Sequence, residues 1–69
     1  MTQDEITLRL MLLESILVTP KAYSPAESAE MYSVYNAITG ENRRPNGCSA
    51  CMNAVVTRLK KEIRNIKRG

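Results

Sequence analysis

Residues 48–67 carry the sequence CSACMNAVVTRLKKEIRNIK, the most regular stretch of the chain. Its apolar side chains recur every three or four residues, at Cys48, Met52, Val55, Leu59, Ile63 and Ile66. This spacing places them along one side of an α-helix, which has about 3.6 residues per turn. Basic residues fill much of the remaining surface. The pattern predicts a long amphipathic helix with one side in a core and a basic side facing solvent or a partner.

A second helix is predicted upstream because its start and its end both carry capping residues. Ser24 followed three residues later by Glu27 forms a capping-box pattern, and Pro25 suits the first helical position. Gly40 is a natural stop, since glycine adopts the left-handed backbone of a helix C-terminus without penalty. We therefore expect a helix over residues 25–39. Its apolar stripe consists of Met31, Val34, Tyr35 and Ile38.

The first helix is expected over about residues 3–18. Thr2 and Glu5 form a second capping-box pattern, and Pro20 disfavours helical geometry at the residue before it. One apolar face follows the helical period at Ile6, Leu10, Leu13 and Leu17. A second apolar set points elsewhere on the helix, at Leu8, Leu12 and Ile16. Because two small neighbours cannot cover both sets, the second set is a candidate protein interface.

These segments predict an all-α fold for a single domain spanning residues 1–69, either a small three-helix bundle or a helix-turn-helix-like domain. No segment alternates with a period of two. The polar linker over 41–47 ends in a turn pattern at Asn46-Gly47. The expected core consists of Leu10, Leu13, Leu17, Val34, Ile38, Met52, Val55, Leu59 and Ile63.

The length of the chain limits its stability. A domain of 69 residues buries only ~60% of the surface that its unfolded chain exposes. A protein partner or self-association is therefore expected. The acidic N-terminus is unlike a secretory signal, and the longest apolar run near it, 10–13, is far shorter than a membrane span. We expect a cytoplasmic protein with no membrane contact and no small-molecule substrate.

Charge is distributed unevenly along the chain. Residues 1–41 contain two basic and six acidic residues, and residues 42–69 contain eight basic and one acidic residue. The basic residues are candidate contacts to nucleic acid or to an acidic partner: Arg43, Arg44, Arg58, Lys60, Lys61, Arg64, Lys67 and Arg68. Phosphates attract such a surface, but cations also favour a helix C-terminus through its dipole. Both interpretations remain open.

Cys48 and Cys51 form a Cys-x-x-Cys motif at the start of the third helix. A helix N-terminus lowers the pKa of a thiol, as in dithiol enzymes, although those enzymes place the motif after a β-strand. Structural zinc needs four ligands, so a zinc site would require two chains to share four cysteines. The third alternative, two buried thiols that act as small apolar side chains, is favoured. No cofactor or resident metal is expected.

The remaining residue types argue against an enzyme. The chain has no histidine, no glycine-rich phosphate loop and no nucleophile elbow. Its aromatic residues are three tyrosines. Tyr35 is expected in the core and Tyr23 near the start of the second helix. Tyr32 is expected to be exposed and to contribute to an interface.

Three short motifs carry a resemblance to known proteins: Tyr35-Asn36-Ala37-Ile38-Thr39-Gly40, Gly47-Cys48-Ser49-Ala50-Cys51 and Leu59-Lys60-Lys61. Within residues 32–61 the chain resembles small proteins encoded by tailed phages of Bacteroidota, including crAss-like phages. The resemblance implies a viral origin and a role in the virion or its assembly, in the host cytoplasm or the particle. The expected function is that of a non-enzymatic interaction or structural protein. The alternative is a small nucleic-acid-binding protein that uses the third helix.

Overall fold

The computed structural model describes residues 1–18, 22–45 and 48–69. These ranges contain three helices and no strand: α1 (Gln3–Leu17), α2 (Pro25–Thr39) and α3 (Ser49–Arg68). The all-α prediction is confirmed, and each helix ends within about one residue of its predicted bound. The predicted stop at Pro20 and the predicted turn at Asn46-Gly47 lie outside the described residues.

Local hydrogen bonds explain where α1 and α2 begin. The hydroxyl of Ser24 accepts from the Glu27 amide at 3.1 Å, and the Glu27 carboxylate accepts from the Ser24 amide at 2.8 Å, so the predicted capping box is complete. Thr2 likewise accepts from the Glu5 amide at 3.2 Å. The carboxylate of Glu5 instead lies 3.2 Å from the guanidinium of Arg9, one turn further along α1.

The end of α2 and the start of α3 also follow from their capping residues. Gly40 has a φ of 78° and donates its amide hydrogen to Asn36 at 2.8 Å, as expected for a left-handed helix stop. Cys48 is the N-cap of α3 and keeps an extended backbone, so the helix itself begins at Ser49. Gly69 follows the last helical residue, Arg68.

The core lies where the three helices meet. The largest completely buried side chains come from every helix: Leu10, Met31, Val34, Val55 and Leu59. Leu13, Leu17 and Ile63, also predicted as core, are buried as well. Ile38 and Met52 differ from the prediction, since they are half-buried and pack against the edge of the core.

Tyr32 corrects the sequence prediction most clearly. Its side chain is only 3% exposed, whereas an exposed interface residue was expected. It follows Met31 by about 100° around the helix, and Met31 is completely buried. Because α2 packs against both α1 and α3, it buries a wider arc than the single stripe predicted. Tyr32 is therefore a core residue.

The helix α3 lies across α1. One side of its C-terminal half, at Glu62 and Ile66, borders the same surface depression as Ile6, near the start of α1. Ile63 borders a second depression together with Leu17, near the end of α1.

Two ion pairs join the helices at the surface. Arg9 of α1 lies 2.8 Å from Glu30 of α2, and Lys67 of α3 pairs with Glu14 of α1. The hydrogen bond to Glu30, more than its charge, raises the pKa of Arg9. The four side chains are between 29% and 55% exposed, so water screens both pairs and their contribution to stability is modest.

Candidate functional site

The side of α1 that points away from the core is apolar. We define this outer face of α1 by Leu8, Met11, Leu12 and Val18, whose exposed fractions are 60%, 42%, 67% and 68%. The prediction that Leu8 and Leu12 point away from the core is therefore confirmed. Ile16, predicted with them, is half-buried and packs against the core.

The outer face is large relative to the domain that carries it. Met11 and Leu12 follow Leu8 by three and four residues, which places the three side chains on one side of the helix, and Val18 is the residue that caps its C-terminus. Buried leucines occupy the opposite side, so α1 is apolar on two opposite sides, with Arg9 and Glu14 between them. A second apolar side on a helix marks a candidate contact surface. Among the described residues, nothing packs over Leu8 or Leu12.

Opposite charges flank the two ends of the outer face. Asp4 and Glu5 lie in the first turn of α1. At the other end, Val18 borders a shallow cavity of about 260 Å³ together with Lys60 and Arg64 of α3. The outer face thus runs from an acidic end to a basic end.

The eight cations proposed from the sequence divide into two groups. Three form ion pairs within the chain: Arg43 with Glu41 at 2.8 Å, Arg58 with Glu62 at 3.1 Å, and Lys67 with Glu14. Five are exposed and form no ion pair within the part of the chain that the structure describes: Arg44, Lys60, Lys61, Arg64 and Arg68. The first group is therefore less suited to contact a partner.

Four of the five unpaired cations share one side of α3. Their positions fall within an arc of about 100° at the helical period, and we call this set the basic side of α3: Lys60, Lys61, Arg64 and Arg68. Of the eight cations predicted from the sequence to contact a partner, these four form a continuous basic surface on α3.

Arg43 contributes to the structure of the linker, which the sequence did not predict. Its backbone amide donates to the Asn36 side chain at 3.0 Å, and its carbonyl accepts from the same side chain at 2.8 Å. Its guanidinium lies 5.6 Å from the centre of the Tyr35 ring. These contacts fasten the linker to α2, so Arg43 holds the linker in place.

The thiols of Cys48 and Cys51, which we call the thiol pair, form a second candidate site. The Cys48 sulfur accepts from the Cys51 amide at 3.2 Å. A hydrogen bond from the Cys51 thiol, aided by backbone amides, lowers the pKa of Cys48, and the same bond raises the pKa of Cys51. Both thiols are half-buried. The prediction of two core thiols is wrong because Cys48 sits at the helix end as its cap.

A cavity of about 360 Å³ opens beside the thiol pair, and we call it the thiol cavity. Cys48 borders it together with Tyr23, Tyr32 and Met52. Burial raises the pKa of the Tyr32 hydroxyl, and negative charge on Cys51 and Cys48 raises it further. In the described ranges, no three cysteine or carboxylate side chains lie close enough together to hold a metal ion.

No known protein family, curated protein or solved structure matches the chain. Across the described residues, none of the helices has both the length and the apolar character required to span a membrane. The geometry described above leaves three functional candidates, which are the outer face of α1, the basic side of α3 and the thiol pair.

Proposed function

We propose that this chain is a small non-enzymatic interaction or structural protein that assembles through the outer face of α1, and that the surface it meets is a second copy of the chain. The observation that carries the proposal is the exposure of Leu8, Met11 and Leu12 on one side of α1, together with Val18 at its C-terminal cap. Burying a large apolar side chain contributes about 1.5–3 kcal/mol before the costs of association. Contiguous apolar patches of this kind mark contact sites.

The small size of the domain supports the same proposal. The core of a domain this short supplies only about 3–5 kcal/mol of stability. Small domains commonly gain the remainder from disulfides, a metal or oligomerisation. Cys48 and Cys51 are not joined in a disulfide. Covering the outer face of α1 would add apolar burial comparable to a substantial part of the core.

The charges at the ends of the outer face favour a second copy in an antiparallel arrangement. A two-fold axis through the middle of the face would bring Asp4 of each chain towards Arg64 and Lys60 of the other. A parallel arrangement would place like charges together. Closed two-fold dimers are the commonest homo-oligomers, and complementary charges determine their register.

The decisive experiment measures the oligomeric state of the Leu8→Lys, Leu12→Lys double variant by analytical ultracentrifugation. The parent is expected to dimerise, and the variant is expected to remain monomeric with an unchanged helical circular dichroism spectrum. Ala29→Lys with Ser33→Lys is the matched control, because both positions are exposed on α2 with the same spacing. It adds the same charge and should still dimerise.

Three outcomes would reject the proposal: a monomeric parent at high concentration, a double variant that still dimerises, or a double variant that unfolds while the control stays folded. The orientation has its own test. Asp4→Lys and Arg64→Glu should each weaken the dimer, and the combination should restore most of the loss, as coupled charges do in a double-mutant cycle. Additive losses would exclude the antiparallel arrangement.

A phage origin completes the proposal. It is supported by the resemblance of residues 32–61 to small proteins of tailed phages of Bacteroidota. It is also compatible with the acidic first part and the basic last part of the chain, which would suit a component that bridges different surfaces during assembly. Immunodetection of the protein in purified particles, compared with the host cytoplasm, tests this part directly.

The basic side of α3 supports a second candidate function, nucleic-acid binding. Lys61 and Arg68 are exposed and form no ion pair within the described residues. In the proposed dimer Lys60 and Arg64 would face carboxylates of the other copy, so dimerisation and phosphate binding would compete for them. Binding that is salt-sensitive and weakens as the dimer forms would favour this second function.

A further inference from the structure

The two cysteines of the thiol pair lie next to each other at the start of α3, since the Cys48 sulfur is 3.2 Å from the Cys51 amide nitrogen. A disulfide joins Cβ atoms about 3.5–4.5 Å apart, so closing the bond requires the two side chains to approach each other. Both thiols are half-buried at this helix end.

Cys48 is the better nucleophile of the two. Its sulfur occupies the N-cap of the 20-residue helix α3, where it accepts from the Cys51 amide at 3.2 Å. Amide groups and the helix dipole both favour the thiolate, which is the reactive form of a cysteine. The lowered pKa of Cys48 has the same cause. Cys48 is half-buried and borders the thiol cavity.

The thiol cavity supplies a place for such a molecule next to Cys48. Tyr23, Tyr32 and Met52 form its apolar walls, and Ser49 and Asn53 add polar groups. Its volume of about 360 Å³ falls within the range of small-molecule sites, which combine apolar walls with a few polar groups. Cys48 borders this cavity, whereas Cys51 is not among the residues that line it.

We propose that Cys48 and Cys51 form a redox-active dithiol that reacts with a low-molecular-weight disulfide in the thiol cavity. The Cys48 thiolate attacks one sulfur of the disulfide, forming a mixed disulfide and releasing the other half as a thiolate. Deprotonated Cys51 then attacks the Cys48 sulfur and displaces the second thiolate, which takes up a proton. The protein loses two electrons and two protons and gains the Cys48–Cys51 disulfide, while the small disulfide is reduced to two thiols.

The test uses oxidised glutathione as the probe and intact-protein mass spectrometry as the readout. The parent protein should form the Cys48–Cys51 disulfide without a detectable population of the glutathione-bound protein. Cys51→Ser should accumulate one glutathione on Cys48, because the resolving thiol is missing. Cys48→Ser should react several-fold more slowly than Cys51→Ser, because Cys51 lacks the capping position.

Unfolding the Cys51→Ser variant in denaturant provides the matched control, since it removes the helix N-terminus but keeps the thiol. Its reaction should slow several-fold at constant pH. Equal rates for the two single variants, or equal rates in the folded and unfolded states, would overturn the proposal. It would also be overturned by freshly purified protein that contains one zinc ion per two chains and reacts only after chelation.

Discussion

The hydroxyl of Tyr35 donates a hydrogen bond of 2.9 Å to the carboxylate of Glu41, across the glycine that ends α2. The other oxygen of this carboxylate lies 2.8 Å from Nε of Arg43, whose guanidinium covers the Tyr35 ring. The hydrogen bond from Tyr35, and then that from Arg43, lowers the pKa of Glu41. The same hydrogen bond to Glu41 raises the pKa of Tyr35. The start of the linker is thus fastened to α2 by one small polar cluster.

This cluster predicts an acid-sensitive contribution to stability. The pKa of Glu41 is lower in the folded chain than the ordinary value of 4.5, so its ionised form stabilises the fold in full above about pH 4.5. The contribution disappears as the pH falls through the lowered pKa. Glu41→Gln should therefore be less stable than the parent near neutral pH and equally stable in strong acid. Urea unfolding across this pH range measures the difference.

Tyr35→Phe serves as the control for that experiment. It removes the largest cause of the lowered pKa of Glu41 while it keeps the aromatic ring. In a chain that carries Tyr35→Phe, the effect of Glu41→Gln on the free energy of unfolding should depend clearly less on pH than it does in the parent chain. An undiminished difference would contradict the role given to the Tyr35 hydroxyl.

Gly40→Ala should destabilise the fold through the backbone alone. The φ of Gly40 is 78°, and a Cβ atom at this position would meet nothing within 4 Å. The cost is therefore that of a left-handed backbone with a side chain, about 1–2 kcal/mol. Gly40→Asn should cost less, because asparagine tolerates this conformation. Thermal and urea unfolding of the two variants should rank them in this order, and the reverse order would be inconsistent with the capping role.

Leu59→Ala should be among the most damaging single truncations in the chain. Leu59 is completely buried between the helices, and truncation of a buried leucine costs about 2–5 kcal/mol. Leu8→Ala is the matched control, since it removes the same atoms from a side chain that is 60% exposed. At concentrations low enough to favour the monomer, the control should change the free energy of unfolding by less than about 0.5 kcal/mol. Similar losses for both variants would show that Leu8 is covered.

The basic side of α3 gives a prediction that separates the two proposed functions. If it binds nucleic acid, replacing Lys60, Lys61 and Arg64 by Gln should weaken binding and reduce the salt dependence by about 0.9 in logarithmic slope per lost phosphate contact. The control places Glu at Ala26, Ala29 and Ser33 on the exposed side of α2, which changes the net charge equally. Mobility-shift titrations at several salt concentrations provide the measurement. If both variants lost the same binding affinity, the effect would come from net charge and not from the basic side of α3.

The helices and most of the core were predictable because the relevant interactions are local in sequence. Ser24, Pro25 and Gly40 mark the ends of α2 through groups within a few residues of one another. The buried positions of α3, such as Leu59 and Ile63, follow from one uninterrupted stripe. The exposure of Leu8 and Leu12 followed from the same reasoning, since the core needs only one face of α1.

The remaining features depend on how the helices are arranged in space. Tyr32 is buried because α2 meets two neighbours at once, which a stripe on one helix does not reveal. The contacts of Asn36 with the backbone of Arg43 span seven residues across a linker that has no periodic pattern. The position of Cys48 as a cap depends on the residue at which α3 begins, and a shift of one residue there changes a core thiol into a half-buried one.

The ion pairs on either side of α1 have a consequence for how this helix is oriented. Because α1 is apolar on opposite sides, a rotation of about half a turn would still present leucines to the core. Such a rotation would carry Arg9 away from Glu30 and Glu14 away from Lys67. Both ion pairs are therefore compatible only with the orientation in which Leu8 and Leu12 stay at the surface. They add a small electrostatic preference to the one that burial already provides.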